Sequence, residues 1–216
     1  MEKKNYQLML DRELEKIVTS GAVPRLLLHS CCAPCSSYVI EYLTEFFEMT
    51  VFYFNPNIYP EEEFYKRIDE QCRFIDRIPV KHPIHFIGSD YRSEEFYAAV
   101  KGHEGDPEGG ERCKICYRLR LEETARLAAR EGFDYFTTTL SISPHKNAEW
   151  LNSIGAELTS EYKVPWLFSD FKKRNGFKRS TELCREYCIY RQDYCGCVFS
   201  KAESERRRGN TQINEG

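Results

Sequence analysis

Ten cysteines stand in the 216-residue chain, and nine of them fall in four tight groups: Cys31, Cys32 and Cys35; Cys113 and Cys116; Cys184 and Cys188; Cys195 and Cys197. In a reducing compartment, clustered thiols are metal ligands or redox catalysts more often than structural bridges. Two adjacent cysteines in a strand-to-helix turn can reach two corners of one metal group, and a helix N-terminus lowers their thiol pKa. Cys113-x-x-Cys116 lets a single turn grip a metal twice. Two plus two supplies four thiolates, the complement of an iron–sulfur cluster or of a structural zinc. The thiols in excess of four weigh toward electron transfer.

Cys195-Gly196-Cys197 is a different device. Two thiols one residue apart close a disulfide ring only on a tightly bent backbone, which the glycine permits, and strained disulfides are the easily reduced, catalytic kind. Cys184 and Cys188, four residues apart, are expected on one helix face, either as core thiols or, with Cys35, as holders of a second metal. Cys72 stands alone on an expected apolar stripe with Phe64, Ile68 and Ile75 and is expected in the core. None of the five histidines has metalloprotease or zinc-finger spacing. His29 ends an apolar run and reads as a hydrogen-bonded core histidine, and His145, after a serine-rich loop, reads as a substrate contact. No glycine-rich phosphate motif supports nucleotide hydrolysis or hydride transfer.

These residues must be positioned by the elements around them. A charged helix over 8–20 precedes a buried strand, Arg25 to His29, that runs into the first cysteines. Apolar pairs at Tyr38/Val39, Tyr42/Leu43 and Phe46/Phe47 mark a helix. Strands are expected at 51–54, 85–87 and 135–139, and helices at 61–78, 94–100, 113–130 (stopped by Gly132) and 147–154. Residues 101–112, with four glycines and no large apolar side chain, read as a mobile loop. Strands alternating with helices predict an α/β fold: a parallel sheet covered on both faces. Ligands of such sheets bind beyond the carboxyl ends of the strands, where Cys31, Cys32 and the loop 140–145 are expected together.

Hydrophobic residues at 41% and charged residues at 30% exclude a disordered chain, and no apolar run is long enough to span a membrane. The charged N-terminus lacks the features of a secretory or transit signal, so a cytoplasmic location is expected. The formal net charge of −3 is unevenly spread. Residues 170–216 carry 11 Lys+Arg against 7 Asp+Glu, a surplus of cations where a polyanion would be met.

Five segments together resemble one family. They are His29-Ser30-Cys31-Cys32-Ala33-Pro34-Cys35, Tyr53 to Pro60, Arg112 to Tyr117, Thr137 to Leu140 with Ser143-Pro144-His145-Lys146, and Tyr190 to Cys197. In this order they resemble the cobalamin-independent epoxyqueuosine reductases, the QueH family, from about Arg25 to Ser200. The resemblance implies a Rossmann-like parallel sheet of the adenine-nucleotide alpha-hydrolase type with a C-terminal helical cysteine-rich segment. The chain is expected to form one catalytic domain over 1–200, with 170–200 as its cysteine-rich part, and 201–216, beyond the resemblance, is expected as a basic flexible tail. The implied reaction reduces the epoxide of epoxyqueuosine at the tRNA wobble position to queuosine, the last step of queuosine synthesis.

The resemblance also implies a 4Fe-4S cluster on Cys31, Cys32, Cys113 and Cys116, a redox-active pair at Cys195 and Cys197, and a further mononuclear iron, for which Cys35, Cys184 and Cys188 are candidate ligands. Tyr194, Asp170 and His145 are candidate proton donors. The anticodon loop of tRNA would meet Lys172, Lys173, Arg174, Lys178, Arg179 and Arg191, with the run Arg206–Arg208 as a further contribution, and electrons would come from a separate donor. Two alternatives are a cluster-dependent tRNA thiolase on a related fold and a zinc-stabilised RNA-binding module without catalysis. The first needs a Ser-Gly-Gly-x-Asp-Ser-like loop where Ser30 to Cys35 stands.

Overall fold

Leu26, Leu27 and Leu28 are fully buried, and they face alternate sides: Leu26 and Leu28 join one apolar cluster and Leu27 the other. A strand buried on both faces is the signature of a parallel sheet sandwiched by helices. The computed structural model, which describes residues 4–214, has that architecture. Its sheet is β1 (Arg25–His29), β2 (Glu48–Tyr53), β3 (Ile84–Gly88) and β4 (Tyr135–Thr138), in the order β3-β2-β1-β4 with all pairs parallel. A single bridge, Phe136 to Trp166, extends the β4 edge.

One layer is built on α1 (Tyr6–Ser20), α2 (Ala33–Leu43), α3 (Glu61–Ile75) and α7 (Gly176–Glu186), which send Leu10, Val39, Phe74 and Cys184 into the cluster under Leu26 and Leu28. The other is built on α5 (Glu111–Glu131) and α6 (Ala148–Tyr162), which bury Leu121, Ala125, Leu151 and Leu158 against Leu27 and Phe136. A short α4 (Ser93–Ala99) lies before the 101–110 loop, and a 3-10 turn (Thr139–Ile142) follows β4. Gly132 closes α5 at φ +68, the left-handed cap expected of it. At Gly155 a Cβ would stand 2.1 Å from the Trp166 ring, so only glycine lets α6 seat on that indole.

Three expectations change. α3 turns a different stripe inward: Phe64, Arg67, Gln71 and Phe74 are buried, while Ile68 and Cys72 are only half-buried. Two polar residues occupy that stripe because they face the thiol turn instead of the apolar core. The loop 101–110 is pinned by the buried Arg112, whose Nη1 donates to the carbonyls of Glu104 (2.9 Å) and Asp106. Where a flexible tail is expected from 201, the chain runs as helix α8 (Val198–Asn214). Glu203 of α8 pairs with Arg112 at 3.5 Å and Arg207 with Glu108 at 3.3 Å, which ties the helix to the loop. No described helix is long and apolar enough to cross a membrane.

Candidate active site

The turn after β1 forms the first wall. Cys32 is the N-cap of α2 in extended backbone and a proline follows in the first turn, where a missing N–H leaves nothing unsatisfied. The Sγ atoms of Cys31, Cys32 and Cys35 lie within 4.8 Å of one another, with Cys31 and Cys32 3.7 Å apart. Hydrogen bonds from Cys31 and then Cys35, helped by the Arg67 charge, hold the Cys32 thiol well below the usual thiol range. Hydrogen bonds to Cys31 and then Cys32, with burial, push Cys35 well above it. Behind the turn, Ser30 and Ser36 both donate to Gln71 Oε1, at 2.7 and 2.8 Å, and Asn55 Nδ2 donates to the Ser30 carbonyl at 2.8 Å. His29 is fully buried between Thr138 Oγ1 (2.8 Å) and the Phe54 carbonyl (3.1 Å), the core histidine expected.

The 190–200 segment forms the second wall. Arg67 Nη1 donates to the Cys195 carbonyl at 3.1 Å, and the Tyr59 amide donates to that of Gly196 at 2.8 Å. Gly196 sits at φ +138, and a Cβ there would stand 3.1 Å from both Arg67 Nη1 and Ile58 Cγ1. The conformation favours glycine, and a side chain there would make these neighbours give by a few tenths of an ångström. Cys195 Sγ accepts from Lys146 Nζ at 3.1 Å, and Gln192 Nε2 donates to Cys32 Sγ at 3.0 Å. Cys197 turns the other way, accepts from the Ser200 amide at 3.4 Å and packs with Cys116, Phe96 and Val100. All ten cysteines are free thiols.

The first two turns of α5 carry Cys113 and Cys116, which neither line the cleft nor join the close group of Cys31, Cys32 and Cys35. Cys113 Sγ accepts from the Gly109 amide at 3.3 Å, and burial pushes the Cys116 thiol up to about 12. One turn on, the buried Arg120 donates from Nε to the Cys116 carbonyl (3.2 Å) and from Nη1 to Asn55 Oδ1 (3.4 Å). Burial works against the charge of Lys146, yet the neighbouring Cys195 holds its ammonium well above the usual lysine range.

Cys31, Cys35 and Cys195, with Lys146 and Gln192, line one cleft of about 550 Å³. Among the described residues, the buried donors Arg67 Nη2, Gln71 Nε2 and Arg120 Nη2 have no hydrogen-bond partner. An unsatisfied buried donor costs about 1–3 kcal/mol. Cationic donors left open beside grouped thiols therefore fit an anionic, thiolate-held metal group. This arrangement can bind such a group, shield it from water and keep a dithiol at its side.

The site residues expected from sequence divide. His145, Arg191, Tyr194 and Cys195 line the cleft, and Glu108 and Glu203 border it from the loop and α8. Tyr194 donates its hydroxyl to the Tyr59 carbonyl at 2.7 Å, and burial pushes its phenol up to about 12. Asp170 lies outside the cleft, 2.5 Å from Lys172, in a neighbouring groove that Lys173 and Arg174 also line. Cys184 and Cys188 do not share a face: α7 ends at Glu186, Cys188 is exposed beyond it at φ +53, and Cys184 packs in the core. Neither belongs to the group formed by Cys35. Arg179 joins α7 to α2 through Glu41 at 2.5 Å and also reaches Glu186 at 2.7 Å, while Lys178 stands 4.0 Å from Glu182. Sequence reasoning missed Arg67, Gln71, Arg120 and Lys146. Arg67 and Gln71 carried a signal, polar residues four apart on a helix that must also bury Phe64 and Phe74.

The family model for epoxyqueuosine reductase QueH matches residues 26–203. An epoxyqueuosine reductase QueH from Streptococcus pyogenes is 42% identical over 201 residues, covering 92% of this chain and 79% of the relative. One from Staphylococcus epidermidis is 41% identical over 205 residues, covering 91% and 86%. A third, from Thermotoga maritima, is 35% identical over 198 residues and covers 86% of this chain and 98% of its own. The matched span holds all ten cysteines, and with these similarities the chain belongs to the epoxyqueuosine reductase QueH family.

Proposed function

We propose that this cleft reduces the epoxide of epoxyqueuosine, in the wobble position of a tRNA, to the cyclopentene of queuosine. The reaction consumes two electrons and two protons, breaks both C–O bonds of the epoxide and releases water. The observation that carries the reading is the meeting of Cys31, Cys35 and Cys195, from two distant segments, around one cleft beside the Lys146 ammonium. Cys31, Cys32, Cys113 and Cys116 would hold a 4Fe-4S cluster, and Cys35 a further iron; together these would supply single electrons and Lewis acidity.

The remaining tasks fall to the chain itself. Arg67 and Arg120 would offset the negative charge of a thiolate-held group from behind, with Gln71 Nε2 as a neutral donor. Lys146 holds Cys195 toward the cleft, and Cys195 with Cys197 forms the dithiol that relays electrons from a separate donor. Of the three candidate proton donors, His145 is favoured, since it lines the cleft while Asp170 is paired outside it and the Tyr194 hydroxyl is committed to a carbonyl. Arg191, on the cleft wall, and Lys173, in the neighbouring groove, are the candidate phosphate contacts, while Lys172 and Arg174 line that groove paired with Asp170 and Asp11. Arg179 is spent on Glu41 and Glu186. A tRNA substrate and unbridged thiols suit a cytoplasmic enzyme. The turn after β1 carries thiols where a thiolase needs a glycine-rich phosphate loop, which argues against the thiolase.

The test is anaerobic purification, iron and sulfide analysis, and incubation of epoxyqueuosine-containing tRNA with the protein and a chemical reductant, followed by nucleoside mass spectrometry. Conversion to queuosine by a brown, sulfide-containing protein is expected. A colourless zinc protein without conversion would overturn the reading.

A further inference from the structure

A second cavity, of about 900 Å³, opens beside the thiol cleft between the start of α1, the start of α6 and the turn at 170–174. Lys146 lines both, so the two spaces adjoin at its side chain. The charges of the groove are unevenly matched. Asp11 is paired with Arg174, which ties α1 to the turn, and Asp170 is paired with Lys172 at 2.5 Å. Glu149 is the remaining carboxylate of the lining. Lys4 and Lys173 are exposed and have no ion-pair partner among the described residues. A groove with unspent cations is notable on a chain of net charge −3.

We infer that this groove takes the sugar–phosphate backbone of the nucleotides next to the reacting one, with Lys4 and Lys173 as phosphate contacts. The inference rests on the RNA reading above and adds to it a direction for the strand: from the thiol cleft, past Lys146, toward the first turn of α1. It also gives a task to a segment outside residues 26–203, which the family model matches. The chemistry agrees. A nucleotide presented to a cleft of about 550 Å³ needs its flanking backbone held outside, and the groove is too large for a free ion. Phosphate contacts of this kind set register without reading bases.

The experiment measures binding of a tRNA anticodon stem-loop to the anaerobically purified holoenzyme across a range of salt concentrations. Lys4→Ala with Lys173→Ala should lower the slope of log affinity against log salt by about 1 to 2 and weaken binding at low salt. Lys173→Glu should weaken it further. Lys81→Ala, which removes a lysine paired with Glu45 at 3.4 Å just before β3, at the opposite end of the sheet, should leave the slope unchanged. An unaltered slope in the double variant, or an equal fall in Lys81→Ala, overturns the groove while wild-type binding upholds the RNA reading. A wild-type holoenzyme that does not bind the stem-loop overturns both.

Discussion

Lys146 Nζ donates a hydrogen bond of 3.1 Å to Cys195 Sγ, joining the loop after β4 to a residue 49 positions later in the chain. The two share one cleft wall, and Arg67 holds the same cysteine from its carbonyl side. Cys195 is thereby gripped at both backbone and sulfur, while Cys197, two residues on, faces the apolar packing around Cys116. The two members of the pair have different surroundings.

From this grip, Lys146→Met should lower turnover roughly tenfold or more, since a hydrogen bond to a charged group is worth about 1.5–3 kcal/mol. Lys146→Arg should recover part of the loss, and iron content should be unchanged in both. Single-turnover kinetics with metal analysis check this; full activity in Lys146→Met would remove the contact from the reaction.

Cys31→Ala, Cys32→Ala, Cys113→Ala and Cys116→Ala should each lose iron, sulfide and activity. Cys72→Ala, half-buried on α3 and away from the grouped thiols, should keep all three. Any of the four that retains a full complement of iron and sulfide leaves the ligand set.

Cys195→Ser and Cys197→Ser should bind metal and tRNA normally and fail to convert epoxyqueuosine. Gly196→Ala tests the bend between them. At φ +138, with Arg67 Nη1 and Ile58 Cγ1 3.1 Å from a new Cβ, alanine is strained and displaces the arginine, so loss of both stability and turnover is expected. Thermal melts alongside turnover separate the effects, and an unchanged melt in Gly196→Ala would contradict the close packing.

His29 predicts an acid limit to stability. Burial, and next the Arg120 charge, lower its imidazole from 6.5 to about 3, so the folded protein holds it neutral while the unfolded chain protonates it near 6.5. The contribution is fully present above that value and is lost as pH falls toward 3, by about 1.4 kcal/mol per pH unit and about 5 kcal/mol in all. Urea unfolding of the metal-free protein between pH 7 and pH 4.5, compared with His29→Gln, should show the stability gap closing at that rate. A gap independent of pH would mean the imidazole is not desolvated.

Much of this was legible in the residues. The leucine run of β1, the four-residue apolar spacing of α2 and the Gly132 stop declare their elements locally, because burial pattern and backbone preference act over a few residues. Strand-helix alternation then demands a parallel sheet, whose carboxyl ends bring Cys31 and the loop after β4 to one side. Other features were decided only by tertiary structure. The inward stripe of α3 passes through Arg67 and Gln71 because the thiol turn, a distant segment, needs polar support there. Cys184 and Cys188 part company because α7 stops between them, with Cys188 beyond its end at φ +53. The first part of α8 is tied down because Arg112 and Glu108, about a hundred residues earlier, pair with its Glu203 and Arg207. Spacing along the chain names the thiols that could act together, but which of them do is set by contacts between segments far apart in sequence, and those exist only once the sheet has brought them to one end.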